Sequence, residues 1–260
     1  NATLSAGGQP QCNRHYATPL HPFHRQPRSD DQKILIHQIV YRQHEQCHQL
    51  ECAIFSLHVP IMPAPDKTTL ARWREDIRFS DTLLGQNLQF TTTWGIFSPE
   101  AIDAGTHMLL EYLEIPVDAD CLDIGCGYGP LGMAMARLAP QGQTLMVDKD
   151  FMAVEYANRN CALNRIPNAK AQLSNGLQHI DPALKFDLIV SNLPAKASKE
   201  QHYLFLFDSL SRLKPGGRFY VVTINGLREF MGRTLKEVFG NYDKLKQGKV
   251  YTVAMAEKTA

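Results

Sequence analysis

The chain has no long hydrophobic run and no large excess of charge of either sign. No stretch of about 18 apolar residues occurs and residues 1–30 contain no apolar signal-peptide core, so we expect neither a membrane span nor a secretory signal. Lys and Arg number 27 against 26 Asp and Glu, and the net charge of +1 supplies no protein-wide field for a polyanion. A nucleic-acid partner would therefore need a local patch of positive charge. Because we expect neither a membrane span nor a secretory signal, we expect a cytoplasmic location.

Cysteine is also too sparse and too scattered for a disulfide framework. The six Cys lie at positions 12, 47, 52, 121, 126 and 161, and 260 residues with 44% hydrophobic side chains can build a core without cross-links. We therefore expect reduced thiols in an ordinary globular α/β protein.

The composition changes near residue 62. Seven of the ten His fall in residues 1–61, whereas all eight Met, beginning with Met62, come later. We interpret residues 1–61 as a poorly ordered His- and Pro-rich lead, upstream of the natural protein, with Met62 as its initiator and 62–260 as the functional domain. The alternative is a zinc site, because Cys and His recur at ligand-like spacings at positions 12, 15, 21 and 24 and at 44, 47, 48 and 52.

The sequence patterns divide the functional domain into a lid or hairpin at residues 71–98 and a catalytic sheet at residues 99–260. Extended runs at 76–79 and 88–94 predict a hairpin that forms a lid or an edge. Ser98 as N-cap and Pro99 as first helical residue predict a helix that ends before Pro116. From residue 120, short apolar runs alternate with helical patterns, which predicts a mostly parallel seven-stranded sheet with a terminal antiparallel hairpin. Strands are expected at 121–124, 144–147, 171–173, 186–190 and 218–223, the hairpin at 242–246 and 250–255, and helices at 130–138, 151–164, 200–213 and 227–239.

A glycine-rich loop follows the first strand of this sheet. Gly127-x-Gly129-x-x-Gly132 fits a dinucleotide fingerprint, and Asp148 lies 21 residues beyond Gly127, where a ribose-binding acid is expected. The glycines alone do not separate NAD from another adenosine cofactor. Two features favour an adenosine cofactor other than NAD. They are the Asp two residues before the first glycine and the terminal antiparallel hairpin.

This loop, Asp123-x-Gly125-x-Gly127-x-Gly129, resembles motif I of the class I S-adenosylmethionine-dependent methyltransferases, which have a Rossmann-like fold. The resemblance implies that S-adenosylmethionine is the cofactor and that Asp148 accepts hydrogen bonds from both ribose hydroxyls. Asn175-Gly176 falls where the family places a polar side chain facing the adenine amine, although a simple turn would explain the pair equally well. The expected cofactor-binding residues are Asp123, Gly125, Cys126, Gly127, Gly129, Asp148, Lys149, Asn175, Gly176 and Asn192.

The fourth strand ends in Ser191-Asn192-Leu-Pro194-Ala-Lys196, at the sheet edge where open α/β folds bind substrates. This resembles the Asn-Pro-Pro-aromatic motif of methyltransferases acting on planar amines. The Asn oxygen and a neighbouring backbone carbonyl can accept both N–H bonds and orient the nitrogen toward the methyl group. Asn192 and Pro194 are accordingly the expected catalytic residues, and no metal is expected.

The order of motifs resembles the methyltransferase small domain family. It comprises Gly95-Ile-Phe-Ser98, Asp103-x-Gly105-Thr106, the glycine loop, Asn192-Leu-Pro194 and Leu213-Lys-Pro-Gly-Gly217. That family includes ribosomal RNA guanine-N2 methyltransferases, so a guanine exocyclic amine of ribosomal RNA is the leading expected acceptor.

Two positions depart from the tetrapeptide motif. Leu193 replaces its first Pro, and Ala195 replaces the aromatic residue that would stack on a flipped base. Phe97 or Trp94 could supply the missing ring, although packing in the core or against the hairpin is the simpler role for both. Lys196 and Lys199 are candidates to touch RNA phosphate, or they form a solvated surface.

Several alternatives stay open from the sequence. One alternative is methyl transfer to a nitrogen of a small molecule or of a protein side-chain amide. An NAD-dependent oxidoreductase would need a Tyr-x-x-x-Lys or a His/Asp pair after the glycine loop, and none is convincingly placed. A non-catalytic binding module would require Leu193 to disable the acceptor site. We expect a monomer or homodimer that does not bind membranes.

Overall fold

A seven-stranded sheet forms the centre of the computed structural model, which describes residues 64–193 and 197–259. Its strands are β3 (Cys121–Ile124), β4 (Thr144–Asp148), β5 (Ala169–Leu173), β6 (Phe186–Asn192), β7 (Leu213–Ile224), β8 (Asp243–Gln247) and β9 (Tyr251–Glu257). The spatial order is β5-β4-β3-β6-β7-β9-β8; β9 is antiparallel to both β7 and β8, and the other neighbours are parallel. The predicted α/β fold and its terminal hairpin are therefore confirmed.

Helices cover both faces of the sheet, and a separate two-stranded sheet precedes them in sequence. The helices are α1 (Lys67–Trp73), α2 (Ala104–Leu110), α3 (Pro130–Leu138), α4 (Phe151–Leu163), α5 (Lys199–Arg212) and α6 (Arg228–Phe239); β1 (Ile77–Leu83) and β2 (Gln86–Thr92) form the small sheet. One core cluster packs α2, α3, α4 and the β1–β2 hairpin against one face, and a second packs α5 and α6 against the other. Successive β6 residues alternate between the clusters, Leu188 joining the first and Ile189 the second, as the pleat of a strand requires.

Local sequence explains why the central elements form where they do. Every residue of β3 is buried, as expected for a central parallel strand covered on both faces. Helix α3 begins after Gly129, whose φ of 96° is left-handed, with Pro130 at its first position. Helix α5 starts with a capping box in which Ser198 and Gln201 satisfy each other's backbone N–H groups. From residue 120 onward the predicted strand and helix bounds agree with the structure to within two residues, except that β7 begins at Leu213, five residues before the predicted start.

The helix predicted from Ser98 starts later than expected, and that prediction was wrong. Ser98 has a φ of 50°, which is not an N-cap conformation, and its Oγ donates to Ala101 O at 2.7 Å in a turn. Helix α2 instead begins at Ala104, where the Asp103 carboxylate accepts from the N–H groups of Gly105 and Thr106. A carboxylate that reaches two free backbone donors is the stronger cap, since it is charged.

The β1–β2 hairpin is anchored to the main domain by two Asn side chains one helical turn apart on α4 and its C-cap. Asn160 accepts from the N–H of Thr91 and donates to its carbonyl, and Asn164 does the same with Gln89, all at 2.7–3.0 Å. These amides pair with the edge of β2 as a further strand would. The hairpin is therefore a fixed edge element rather than a hinged lid.

Two expectations concern parts of the chain that the structure does not describe. The proposed lead at 1–61 and its zinc-like Cys and His clusters lie outside the described residues.

Within residues 64–193 and 197–259, no helix is long and apolar enough to cross a membrane, and no group of three His, Cys, Asp or Glu could hold a metal ion.

Candidate functional site

The glycine loop presents bare backbone at the carboxyl end of β3. Gly125, Gly127 and Gly129 all have positive φ, a conformation that side chains disfavour. A Cβ built on Gly125 or Gly127 would meet no atom within 4 Å, so this backbone faces open space. On the other side of the loop, a Cβ on Gly132 would lie 2.3 Å from Met146 Cγ, and helix α3 therefore packs closely on β4. The loop thus forms an open cradle of the kind that a nucleoside cofactor requires.

The Cys126 side chain points away from this cradle. It is buried in the core cluster below the loop, and its Sγ donates to Gly127 O at 3.5 Å. Burial raises the pKa of the thiol well above its ordinary value. Cys126 therefore offers a ligand only backbone atoms.

Asp148 ties the glycine loop to the end of β4. Its Oδ2 accepts from Gly127 N at 2.9 Å, and its Oδ1 accepts from Asp150 N at 3.0 Å. The side chain is half-buried, and each carboxylate oxygen keeps a lone pair after these bonds. Asp148 can therefore hold the loop and also accept from ligand hydroxyls, while its neighbour Lys149 is exposed.

Asp123 is fully buried beneath the cradle, and among the described residues only one of its two carboxylate oxygens has a hydrogen-bond partner. Its Oδ2 accepts from Gly132 N at 2.9 Å, whereas Oδ1 has no hydrogen-bond partner among the described residues. Burial, together with the negative charge of Asp148, raises the pKa of Asp123 to about 7, and the Gly132 bond opposes that rise. A buried carboxylate with an idle oxygen is costly, and a positively charged ligand group would relieve the cost.

The turn after β5 lies beside Asp148. Ser174 N donates to Asp148 O at 2.8 Å, which brings the exposed Asn175 to the same edge of the sheet. Gly176 has a φ of 57°, and a Cβ there would lie 2.9 Å from the Phe205 ring. The turn and its packing account for Gly176, and the Asn175 side chain is exposed at this edge.

Asn192, at the end of β6, has its amide locked by two acceptors. Its Nδ2 donates to Asp103 Oδ2 at 3.0 Å and to Thr106 Oγ at 3.1 Å. Because both donor positions are used, the amide cannot flip, and its Oδ1 receives no hydrogen bond from any residue in the described ranges. Asn192 therefore presents a fixed acceptor oxygen at the sheet edge.

Asp103 and Tyr251 complete this network, and sequence reasoning assigned neither a role. Tyr251, the first residue of β9, donates its hydroxyl to Asp103 Oδ1 at 2.7 Å. That hydrogen bond, followed by burial, raises the pKa of Tyr251 to about 12. The motif Asp103-x-Gly105-Thr106 was the available signal: a Cβ on Gly105 would lie 2.7 Å from Asp103 Oδ2 and 3.0 Å from the Tyr251 ring.

Leu193 replaces a motif proline without disturbing the strand. Its N–H donates to Val222 O at 3.1 Å and its side chain is buried in the second core cluster. A proline could not make that ladder bond, so Leu193 extends the β6–β7 pairing by one residue. Pro194 and its neighbours Ala195 and Lys196 lie outside the described residues.

The candidate rings Phe97 and Trp94 are exposed, so of the two simpler roles, packing in the core or against the hairpin, the core role was wrong. Phe97 is 68% exposed and Trp94 42%. Tyr128, within the glycine loop, donates its hydroxyl to Ser98 O at 3.2 Å and to Ala101 O at 3.3 Å. This turn therefore lies directly beside the cradle, and Phe97 is free to contact a ligand.

Four features together define a class I methyltransferase fold. They are the strand order, the glycine cradle after β3, the acid that ends β4 and the Asn that ends β6. The antiparallel β8–β9 pair stands where a dinucleotide-binding fold would continue with parallel strands.

Comparison with known proteins identifies the family. The methyltransferase small domain matches residues 87–255, and the chain belongs to that family. It is 30% identical to the Bacillus subtilis protein YbxB over 186 residues, which are 69% of this chain and 90% of that one. It is also 33% identical to ribosomal RNA small subunit methyltransferase C of Actinobacillus succinogenes, over 61% of this chain and 48% of that protein.

A solved structure shows the same relationship. A 16S rRNA N2 methyltransferase of Thermus thermophilus, in complex with AdoMet and guanosine, has a TM-score of 0.64 and 28% identity to this chain. The match covers 70% of this chain and 50% of the Thermus chain. The chain thus spans about half the length of these two ribosomal RNA methyltransferases.

Proposed function

We propose that this protein is an S-adenosylmethionine-dependent N-methyltransferase whose acceptor is the exocyclic amine of a guanine in ribosomal RNA. The observation that carries the proposal is the locked Asn192 amide, which leaves one oxygen as a fixed acceptor at the end of β6. The named activities of the Actinobacillus and Thermus relatives support the same acceptor class.

The glycine cradle and its two acids fit the cofactor. Open backbone at Gly125 and Gly127 admits a nucleoside, Asp148 offers lone pairs to ribose hydroxyls, and the idle oxygen of Asp123 suits a cationic group. In this proposal the exposed Asn175 would face the adenine, and Lys149 and the backbone of Cys126 and Gly129 would contribute to the same site. When bound, S-adenosylmethionine supplies a methyl group on a positively charged sulfur.

The residues around Asn192 then orient the acceptor. A guanine amine has a delocalised lone pair, so it is a poor nucleophile until its geometry changes. Asn192 Oδ1 accepts one N–H and turns the lone pair toward the methyl group, and this bond strengthens as positive charge develops on nitrogen. Pro194, in the same motif, would shape the acceptor side of the pocket. No strong base is needed before attack.

The test is substitution of Asn192. Asn192→Ala should lower methyl transfer by on the order of a hundredfold, since such a transition-state bond is worth roughly 3 kcal/mol, whereas adenosylhomocysteine affinity should be nearly unchanged. Asn192→Asp should be milder, because a carboxylate also accepts from N–H. The matched control is Asn87→Ala, an exposed Asn on β2.

Tritium transfer from labelled donor into total RNA, followed by nucleoside analysis, identifies the acceptor. Label in N2-methylguanosine supports the proposal. Label in protein or in a small molecule, or full activity of Asn192→Ala, would overturn it. Monomeric or dimeric assembly and a cytoplasmic location stay predictions.

A further inference from the structure

A groove with four cationic side chains lies between helix α6 and strand β8. The cations are Arg228, Arg233 and Lys236 on the helix and Lys244 on the strand. Glu229 of the helix and Tyr242, from the turn that joins the two elements, also line the groove. We call this feature the basic groove. The three helix cations span eight positions, or about 12 Å along the helix axis.

Tyr242 forms part of the groove's wall because α6 has a glycine opposite it. A Cβ on Gly232 would lie 3.2 Å from Tyr242 Cζ, so the glycine lets the ring lie against the helix without having to shift. The Lys236 Nζ lies 5.8 Å from the centre of the same ring. Burial raises the pKa of the Tyr242 phenol while the positive charge of Arg228 opposes that rise, so Tyr242 stays a neutral hydrogen-bond donor among cations.

The cations of the groove are poorly neutralised. Arg228 contacts Glu229 at 3.5 Å, but Glu229 is 85% exposed and such a pair contributes little. No carboxylate of the described chain forms a salt bridge with Arg233, Lys236 or Lys244. Residues 225–249 carry six Lys and Arg against three Asp and Glu, whereas the rest of the described chain carries fifteen against nineteen. Positive charge is therefore concentrated in this segment.

The basic groove begins at the sheet edge that holds Asn192. Val222 of β7 pairs with Asn192, and α6 starts six residues after Val222. Between them, Asn225 Nδ2 donates to the carbonyl of Lys249, an exposed residue in the β8–β9 turn. Two residues further on, Tyr251 binds the Asp103 carboxylate that holds Asn192.

We propose that the basic groove binds the phosphate backbone of the substrate RNA beside the acceptor base. This inference rests on the proposed function, which places a nucleobase at Asn192. Clustered cations repel one another when only one of them, Arg228, has a carboxylate contact in the described chain, and they release that repulsion on contact with a polyanion. A line of cations along one helix face, which starts near the carboxyl edge of the sheet, suits a strand whose charges are also arranged in a line.

The experiment compares two triple variants of the full chain. Arg233→Gln, Lys236→Gln and Lys244→Gln together remove charge from the groove. Lys67→Gln, Lys170→Gln and Lys185→Gln remove the same charge from exposed positions elsewhere. The probe is a single-stranded, guanine-containing oligonucleotide of small-subunit ribosomal RNA, with binding followed by fluorescence anisotropy over a range of salt concentrations and without methyl donor.

The groove variant should bind this RNA on the order of tenfold more weakly at low salt. The slope of log K against log salt should become shallower by about 2, since each phosphate contact on a single strand contributes about 0.7. The control variant should bind like wild type. Adenosylhomocysteine affinity and Tm should be unchanged in both, which shows that both are folded.

Two results would overturn the groove assignment. One is equal RNA affinity in the two triple variants. The other is a groove variant that loses binding to polyglutamate but not to RNA, which would assign the groove to an acidic protein. If the groove variant loses RNA binding while wild type transfers no methyl group to RNA, the proposed function fails and the groove assignment stands.

Discussion

Asn192 Nδ2 lies 3.0 Å from Asp103 Oδ2, although 89 residues separate the two in sequence. The same carboxylate caps helix α2 through Gly105 N and accepts the Tyr251 hydroxyl from β9. One side chain therefore connects the carboxyl end of β6, the start of α2 and the terminal hairpin. Under the proposed function Asp103 would be a positioning residue, because it holds the Asn192 amide.

Asp103→Ala is expected to lower turnover by about tenfold or more while leaving adenosylhomocysteine affinity unchanged, because the Asn192 amide would be free to rotate. Asp103→Asn keeps an acceptor oxygen and should recover part of the turnover. Steady-state kinetics with calorimetry check both. The matched control, Tyr251→Phe, removes only one donor to Asp103 and should cost only a few-fold. If Asp103→Ala lowers Tm but not kcat, Asp103 is only a helix cap, a role worth about 1 kcal/mol.

Asp148→Ala should weaken cofactor binding by about 2–4 kcal/mol, since it removes charge-assisted acceptors for the ribose and releases the Gly127 N–H that now bonds to Oδ2. Asp148→Asn retains one acceptor for Gly127 and should lose less affinity. Calorimetry with adenosylhomocysteine measures both. The exposed neighbour Asp150→Asn serves as control, and an unchanged dissociation constant in Asp148→Ala would remove this residue from the site.

Asp123 should make the stability of the free protein depend on pH. Its pKa is about 7 in the fold against 3.8 ordinarily, so between these values the folded state holds a proton that the unfolded state has lost. The free energy of unfolding should therefore fall as pH rises from about 4 to about 7, by up to about 4 kcal/mol. Asp123→Asn should remove this slope. Urea titrations at pH 5 and pH 8 measure it, and parallel profiles for both proteins would contradict the assignment.

Phe97→Ala tests the exposed ring beside the glycine loop. If a guanine stacks on Phe97, its loss should raise the KM for RNA by roughly tenfold, because base–aromatic stacking is worth about 1–3 kcal/mol, and Phe97→Trp should restore it. Cofactor affinity should not change. Val117→Ala removes another exposed apolar side chain as control. A KM equal to that of wild type would show that the acceptor does not use this ring.

Periodicity and special residues were enough to predict the central elements. Strand 121–124 and helix 130–138 were predicted with the bounds they have, because a buried apolar run, positive-φ glycines and a first-turn proline act locally. The acid at 148 and the Asn at 192 were likewise placed at one edge, since parallel strands bring their carboxyl ends together. The Ser98-Pro99 pair predicted a helix start, but the Asp103 carboxylate five residues later caps the helix instead.

The sequence by itself therefore determined the fold class, the glycine cradle and the identity of the candidate acceptor-binding Asn. Only the tertiary structure decided that Asp103 and Tyr251 hold that Asn, that Leu193 serves the strand ladder, that Phe97 is exposed and that the cations of α6 and β8 form one groove. The physical reason is the separation in sequence between the residues that interact. Helix caps, turns and strand periods depend on residues a few positions apart, whereas these contacts join segments that only the packed sheet brings together.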